Sequence, residues 1–188
     1  MLSRERRLLW VAVLAVILGS CGVGDGETRP SGRIGVAYWL PVRCEEAVLN
    51  VPVEELGPDM EVIGGVVALR TSASSNIATQ VRRAYDADPA LRLGAKTPLW
   101  VRRNTMAEIR VPATFHERVA IAWGYYGVPT HRITVGPCPA EEEWLGFSGG
   151  VYVADPECIT LEVVHKDSTV ETIEMGLGTP CPGQEQRS

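Results

Sequence analysis

Apolar and polar residues alternate in short runs along most of this chain, and Gly, Pro, Asn and Asp separate the runs. Residues 33–40 place Ile34, Val36, Tyr38 and Leu40 on one side. That predicts a first strand, which Pro41 ends or confines to a sheet edge. Residues 44–53 are a second extended run. Residues 61–70 are β-branched at both ends around Gly64-Gly65, which fits one bulged strand or two strands joined at a turn. From Pro98 onward the runs are more regular: 99–103, 108–111, 118–124, 132–136, 144–153, 158–165 and 169–178. Within 158–165, Ile159, Leu161 and Val163 share one face, while Thr160 and Glu162 point the other way. After a turn at 166–168, Ile173, Met175 and Leu177 line the inner face of the return strand.

One stretch has the period of a helix. Ile77, Val81, Ala84 and Tyr85 fall at i, i+4, i+7 and i+8, Asn76 is placed to cap, and Asp86-Ala87-Asp88-Pro89 stops the run. The small polar residues 71–76 before it read as a loop. The expected fold is therefore mainly β, an antiparallel β-sandwich tied by disulfides, with at most one short helix. Short strands with turn signals every ~8–12 residues carry that expectation. The alternative is an α+β domain in which 76–86 packs on a sheet.

The N-terminus follows a different pattern. Arg4, Arg6 and Arg7 precede an unbroken apolar run, 8–18, and then Gly19, Ser20 and Cys21. This is the three-part layout of a secretory signal peptide. At ~1.5 Å per residue the run covers roughly 16 Å, about half of a ~30 Å hydrocarbon core, which disfavours a retained membrane helix. Leu18-Gly19-Ser20-Cys21 resembles the lipobox of bacterial lipoproteins. The resemblance implies a diacylglycerol, with acyl chains of the palmitate type, on the Cys21 sulfur, and cleavage after Ser20. Two acyl chains suffice for stable anchoring where one holds reversibly. The expected organisation is a signal peptide over 1–20 and a lipidated cysteine with a flexible Gly-rich tether over 21–32. A single extracytoplasmic β domain over 33–181 and a polar tail over 182–188 follow.

Charge and cysteines sharpen this picture. The chain carries 18 Lys+Arg and 23 Asp+Glu. Loss of the leader removes three of the former and one of the latter, leaving the mature part near −7. That balance argues against nucleic acid and against a polybasic membrane contact, both of which need clustered cations. Beyond Cys21 an even set remains, Cys44, Cys138, Cys158 and Cys181. Outside the cytosol this predicts two disulfides, with three connectivities open. Cys158–Cys181 is preferred because the pair flanks the 159–178 hairpin, which leaves Cys44 to Cys138; Cys138–Cys158 would also bracket a hairpin. No C-x₂₋₄-C or H-x₃₋₅-H spacing supports a metal.

From Arg110 to Cys181 the chain also resembles uncharacterised secreted β-domains of high-GC Gram-positive bacteria. The resemblance rests on Val111-Pro112, Trp123-Gly124, Cys138-Pro139, Trp144 with Phe147, Gly149-Gly150, Pro156, Cys158, Gly178 and Cys181. It implies a β-domain and no particular activity.

The sharpest catalytic candidate is Gly146-Phe147-Ser148-Gly149-Gly150, which satisfies the G-x-S-x-G of a nucleophile elbow. An elbow needs a helix next, but Val151-Tyr152-Val153 reads as a strand. His116, His131 and His165 lack the chain context of a serine-hydrolase triad. A glycine-rich turn or bulge with φ > 0 explains the motif more simply. His116-Glu117 begins like H-E-x-x-H, but Ala120 stands at the second histidine position. Asp86, Asp88 and Glu141-Glu142-Glu143 lack calcium-loop spacing and read as solvated acids. Trp123, Tyr125 and Tyr126, with Trp144 and Phe147, offer aromatic faces for sugars or peptides, although Trp123 ends a strand in which core packing is commoner. The functional expectation is a lipid-anchored, non-catalytic domain on the outer side of the cell membrane, binding an envelope protein or glycan, without cofactor, metal or nucleic acid. The alternative is a surface serine hydrolase using Ser148. A solute-binding receptor is disfavoured, since such receptors are larger and two-lobed.

Overall fold

The computed structural model describes residues 35–84, 89–124 and 128–185. The chain divides into two units, Met1–Gly32 and Arg33–Ser188. The residues expected to form the signal peptide, the lipidated Cys21 and the tether lie outside the described residues.

Fourteen short strands run in chain order through the described residues: β1 (Leu40–Val42), β2 (Ala47–Val51), β3 (Glu61–Ile63), β4 (Val67–Leu69), β5 (Arg82–Arg83), β6 (Leu93–Lys96), β7 (Leu99–Arg102), β8 (Ala107–Arg110), β9 (Val119–Trp123), β10 (Arg132–Val135), β11 (Trp144–Phe147), β12 (Gly149–Val153), β13 (Glu157–Val164) and β14 (Val170–Leu177). They form three sheets with orders β1-β10-β8-β13-β14, β2-β11-β7-β4-β3 and β5-β6-β12-β9, here called sheets I, II and III. All strand pairings are antiparallel except β1 with β10. The fold is mainly β, a sandwich-like packing of sheets, and the only helical pieces among the described residues are single 3₁₀ turns.

One apolar core serves all three sheets. Ile109, Ile133, Ile159, Leu161 and Met175 enter it from sheet I, Leu69, Leu99 and Val101 from sheet II, and Ile121, Trp123, Val151 and Val153 from sheet III. The alternation of β13 carries straight into burial: Ile159, Leu161 and Val163 are buried, and Thr160 and Glu162 are not. A smaller cluster (Val51, Leu56, Ala68, Trp100, Trp144) lies apart from this core.

Two disulfides tie the domain, Cys44–Cys138 and Cys158–Cys181, with Cα–Cα distances of 5.3 and 4.9 Å. Cys158 sits in β13 opposite Gly176 of β14, so the following chain needs only a short return to bring Cys181 alongside. Residues 61–70 resolve into two strands, β3 and β4, joined at Gly64-Gly65.

Two expectations need correction. The run 76–86 is not a helix over its described part, 76–84. Ile77 bridges Glu185, Thr79 bridges Leu177, and Arg82-Arg83 pair with β6 as an edge strand. An isolated helix of about two or three turns is marginal because its nucleus is costly. Here β6 and the end of β14 offered the same backbone groups ladder partners. The first strand, expected over 33–40, is β1 at Leu40–Val42 and contains Pro41. It lies at the edge of sheet I, where a missing N–H is tolerated. Tyr38 faces solvent, 71% exposed, rather than the core.

Candidate functional site

The β6–β7 segment and the β11–β12 segment run antiparallel, and both pass from one sheet to another at the same level. Leu99 pairs with Phe147 in sheet II and Lys96 with Gly150 in sheet III. This register is unbroken and sets Pro98 opposite Ser148. Proline has no N–H to give the ladder, so the paired strands are free to bend there, as strands do when they switch sheets. From the inside, Trp123 supports the corner: its indole N–H donates to the Thr97 carbonyl at 2.8 Å.

The glycines around Ser148 follow from this crowding. Gly149 and Gly150 do not form the expected turn; they open β12, which has β6 on one side and β9 on the other. A Cβ on Gly149 (φ +152°) would lie 2.1 Å from the Ala122 carbonyl oxygen, and one on Gly150 would lie 1.9 Å from that of Ala95. On Gly146 it would meet the Trp100 ring at 2.6 Å. The expected positive φ holds at Gly149, without a turn, and close approach of neighbours selects glycine at all three positions.

Two clefts meet at the corner. The larger, about 640 Å³, lies over sheet III. Arg82 and Arg83 of β5, Lys96 of β6 and Arg70 after β4 line it together with Tyr152 and Ser148, and no carboxylate lines it among the described residues. Arg70 is committed to its neighbours, with Nε 3.3 Å from Asp59 Oδ2 and Nη2 donating to Ser75 Oγ at 3.0 Å. Arg82, Arg83 and Lys96 make no ion pair among the described residues. A concave surface lined by one sign of charge over a low-dielectric floor focuses its potential and attracts the opposite ion. The smaller cleft, about 280 Å³, is an apolar groove over sheet II lined by Val48, Leu49, Pro98 and Trp100. Val48 and Leu49 are 58% and 57% exposed. Lys96, Ser148 and Gly149 line both clefts, so the two form one trough, cationic at one end and apolar at the other.

Of the residues singled out from the sequence, Ser148 and its neighbours Gly146, Phe147, Gly149 and Gly150 line the clefts, and the others fall elsewhere. Ser148 is exposed, but no histidine lines either cleft that it borders. His116 and His131 stack on each other, ring centroids 3.9 Å apart and planes within 2°. Each is turned to the backbone. His116 Nε2–H donates to the Val111 carbonyl at 2.9 Å and His131 Nε2–H to the His116 carbonyl at 3.0 Å. They border a separate cleft with Tyr38, Arg110, Arg132 and Glu162. Burial, with the neighbouring His116 charge second, holds the His131 pKa below the ordinary histidine value, against the raising effect of its hydrogen bond to the His116 carbonyl. His165 directly follows β13, its Nε2 2.9 Å from Glu171 Oε1 without an aligned hydrogen bond. Asp167 in the following turn has its pKa lowered by the side-chain hydroxyl of Thr169 and then by its backbone N–H. Cys158, Cys181 and Glu174 lie close together, but the two sulfurs are joined in a disulfide and offer no thiolate for a metal.

For the described aromatic residues the structure takes the core alternative. Trp123, Trp144 and Phe147 are core residues, 1%, 2% and 0% exposed, and present no face to a ligand. Tyr125 and Tyr126 lie outside the described residues. No family model, curated protein or solved structure matches the chain.

The cationic cleft was missed in the sequence because its parts are scattered. Arg70 and Lys96 are 26 positions apart, and Arg82-Arg83 lay in a run read as helix. The available signal was that adjacent doublet, flanked by Gln80 and Ala84 with no acid between.

Proposed function

We propose that this chain is a lipid-anchored, extracytoplasmic, non-catalytic binding domain, with the trough at the Pro98/Ser148 corner as its binding site for an envelope component. The observation that carries the reading is the setting of Ser148. A serine hydroxyl is a weak nucleophile until a base takes its proton, and among the described residues the lining around it supplies guanidinium and ammonium groups but no imidazole or carboxylate. Such a lining suits holding an anion. Support for the compartment comes from the leader ending in Leu18-Gly19-Ser20-Cys21 and from the two disulfides, which persist where the surroundings are oxidising.

Metabolic labelling with a fatty acid tests the anchor: label should enter the wild type and not Cys21→Ser. An active-site serine probe tests the absence of catalysis. It should leave Ser148 unmodified in the folded protein, and selective labelling there, abolished by denaturation and by Ser148→Ala, would return the hydrolase to first place.

A further inference from the structure

The trough has a second property beyond charge, and from it we infer the class of its ligand: a single acidic phospholipid, its phosphate held by Arg82, Arg83 and Lys96 and its acyl chain laid along Leu49 and Trp100. This deepens the binding reading above and rests on it. The cationic end offers what a phosphate oxygen accepts, namely guanidinium forks that bind it bidentately and an ammonium point charge. It also offers the Ser148 hydroxyl and the Gln80 amide at its rim. Three of its cations have no acidic partner among the described residues, so an incoming anion displaces no ion pair there.

The other end decides against a bare anion and against a peptide. Leu49, Gly146 and Trp100 stand side by side across β2, β11 and β7, so this groove lies on the face of sheet II and runs inward from its edge strand β2. The backbone donors and acceptors of β11 beneath it are directed to β2 and β7 within the ladder. An extended peptide laid across the face over β11 and β7 would bring amide groups to strands whose own are already paired, at the cost of burying unsatisfied polar groups. A hydrocarbon chain has none. Exposed Leu49 and Val48, with the Trp100 ring resting on Gly146, give that chain apolar surface worth roughly 25 cal/mol per Å² covered. A second copy of this chain is a poor occupant, because a twofold contact would set one cationic cleft against the other.

The test uses the full chain in nonionic-detergent micelles, read by native mass spectrometry. Phosphatidylglycerol, phosphatidylcholine and glycerol 3-phosphate are added at matched concentration. One phosphatidylglycerol per chain is expected, with apparent affinity at least tenfold above phosphatidylcholine and above glycerol 3-phosphate. Arg82→Ala/Arg83→Ala should lose at least tenfold for both phosphate monoester and acidic lipid. Leu49→Ser should lower the lipid severalfold and leave glycerol 3-phosphate unchanged. All substituted side chains are exposed, and an unchanged urea midpoint confirms each variant's fold. Equal binding of glycerol 3-phosphate and phosphatidylglycerol would reduce the site to a bare anion site and overturn the inference. Equal binding of phosphatidylcholine, or retention of phosphatidylglycerol by the double arginine variant, would overturn it too, as would a polyglutamate peptide that binds more tightly than the lipid. Fatty-acid labelling of Cys21 and the serine probe at Ser148 read the underlying proposal separately, so a failure of either is distinguishable from a failure here.

Discussion

Replacing Gly150 with alanine isolates the steric account of the corner. Gly150 has no positive φ, so alanine meets no backbone penalty there. What it meets is the Ala95 carbonyl oxygen, 1.9 Å from the new Cβ. Reaching a tolerable separation of about 3 Å moves β6 away from β12 by roughly 1 Å, which takes hydrogen bonds of a 2.9–3.0 Å mode out of range. Losing one or two ladder bonds costs about 1 kcal/mol each, and over-packing adds about 1–3 kcal/mol. Restricting the unfolded chain gives back about 0.4–1 kcal/mol. The expected net loss is about 2–4 kcal/mol, read from urea unfolding with the disulfides intact. Gly183→Ala is the matching control. Gly183 has φ +89° and nothing within 4 Å of a Cβ, so it should show only the backbone strain of about 1–2 kcal/mol. Ser148→Ala, at an exposed position, should fall within about 0.5 kcal/mol of wild type. A Gly150→Ala protein as stable as wild type would refute the crowding argument, and with it the reason given for glycine beside Ser148.

Other outcomes follow from the same structure. Non-reducing peptide mapping should join Cys44 to Cys138 and Cys158 to Cys181, and a Cys138–Cys158 fragment would contradict the fold. In the chain-entropy account, Cys158→Ala/Cys181→Ala should cost about 3 kcal/mol for its loop of 23 residues' separation. Trp123→Phe should lose about 1–3 kcal/mol, because the buried Thr97 carbonyl loses its 2.8 Å donor; a loss no larger than that of a conservative surface change would sink the buttress role. For His131 the folded pKa lies below the unfolded one, so the unfolded chain binds more protons as pH falls past about 6.5. Its contribution is therefore present above that pH and lost below it, with Arg110, Arg132 and Glu162 bordering the same cleft. Urea midpoints measured from pH 7.5 to 5 should fall less steeply in His131→Gln than in wild type, and parallel profiles would refute it.

How much of this was legible in the sequence depended on where the competing forces lay. The β13–β14 hairpin was readable residue by residue, since one face is core and the other solvent, and its period-2 pattern has no rival. The disulfide pairing followed from that hairpin. The 76–84 segment was misread because its apolar residues, Ile77, Val81 and Ala84, are only half-buried, so their spacing records no single face. Its conformation is decided by ladder partners 10 to 108 residues away, at β6, Leu177 and Glu185. The trough is the least legible feature, for the same reason: it exists only where two long paired segments bend together. That bend also accounts for the resemblance to a nucleophile elbow. Gly146 makes room for the Trp100 ring, Gly149 for the Ala122 carbonyl and Gly150 for that of Ala95, three separate neighbours in three separate strands. Ser148 stands between them at the level of Pro98, where the paired segments bend, and its side chain is exposed. A motif written for catalysis in one fold thus arises here from the packing of a corner, and what the corner opens to solvent is a cationic surface beside an apolar one.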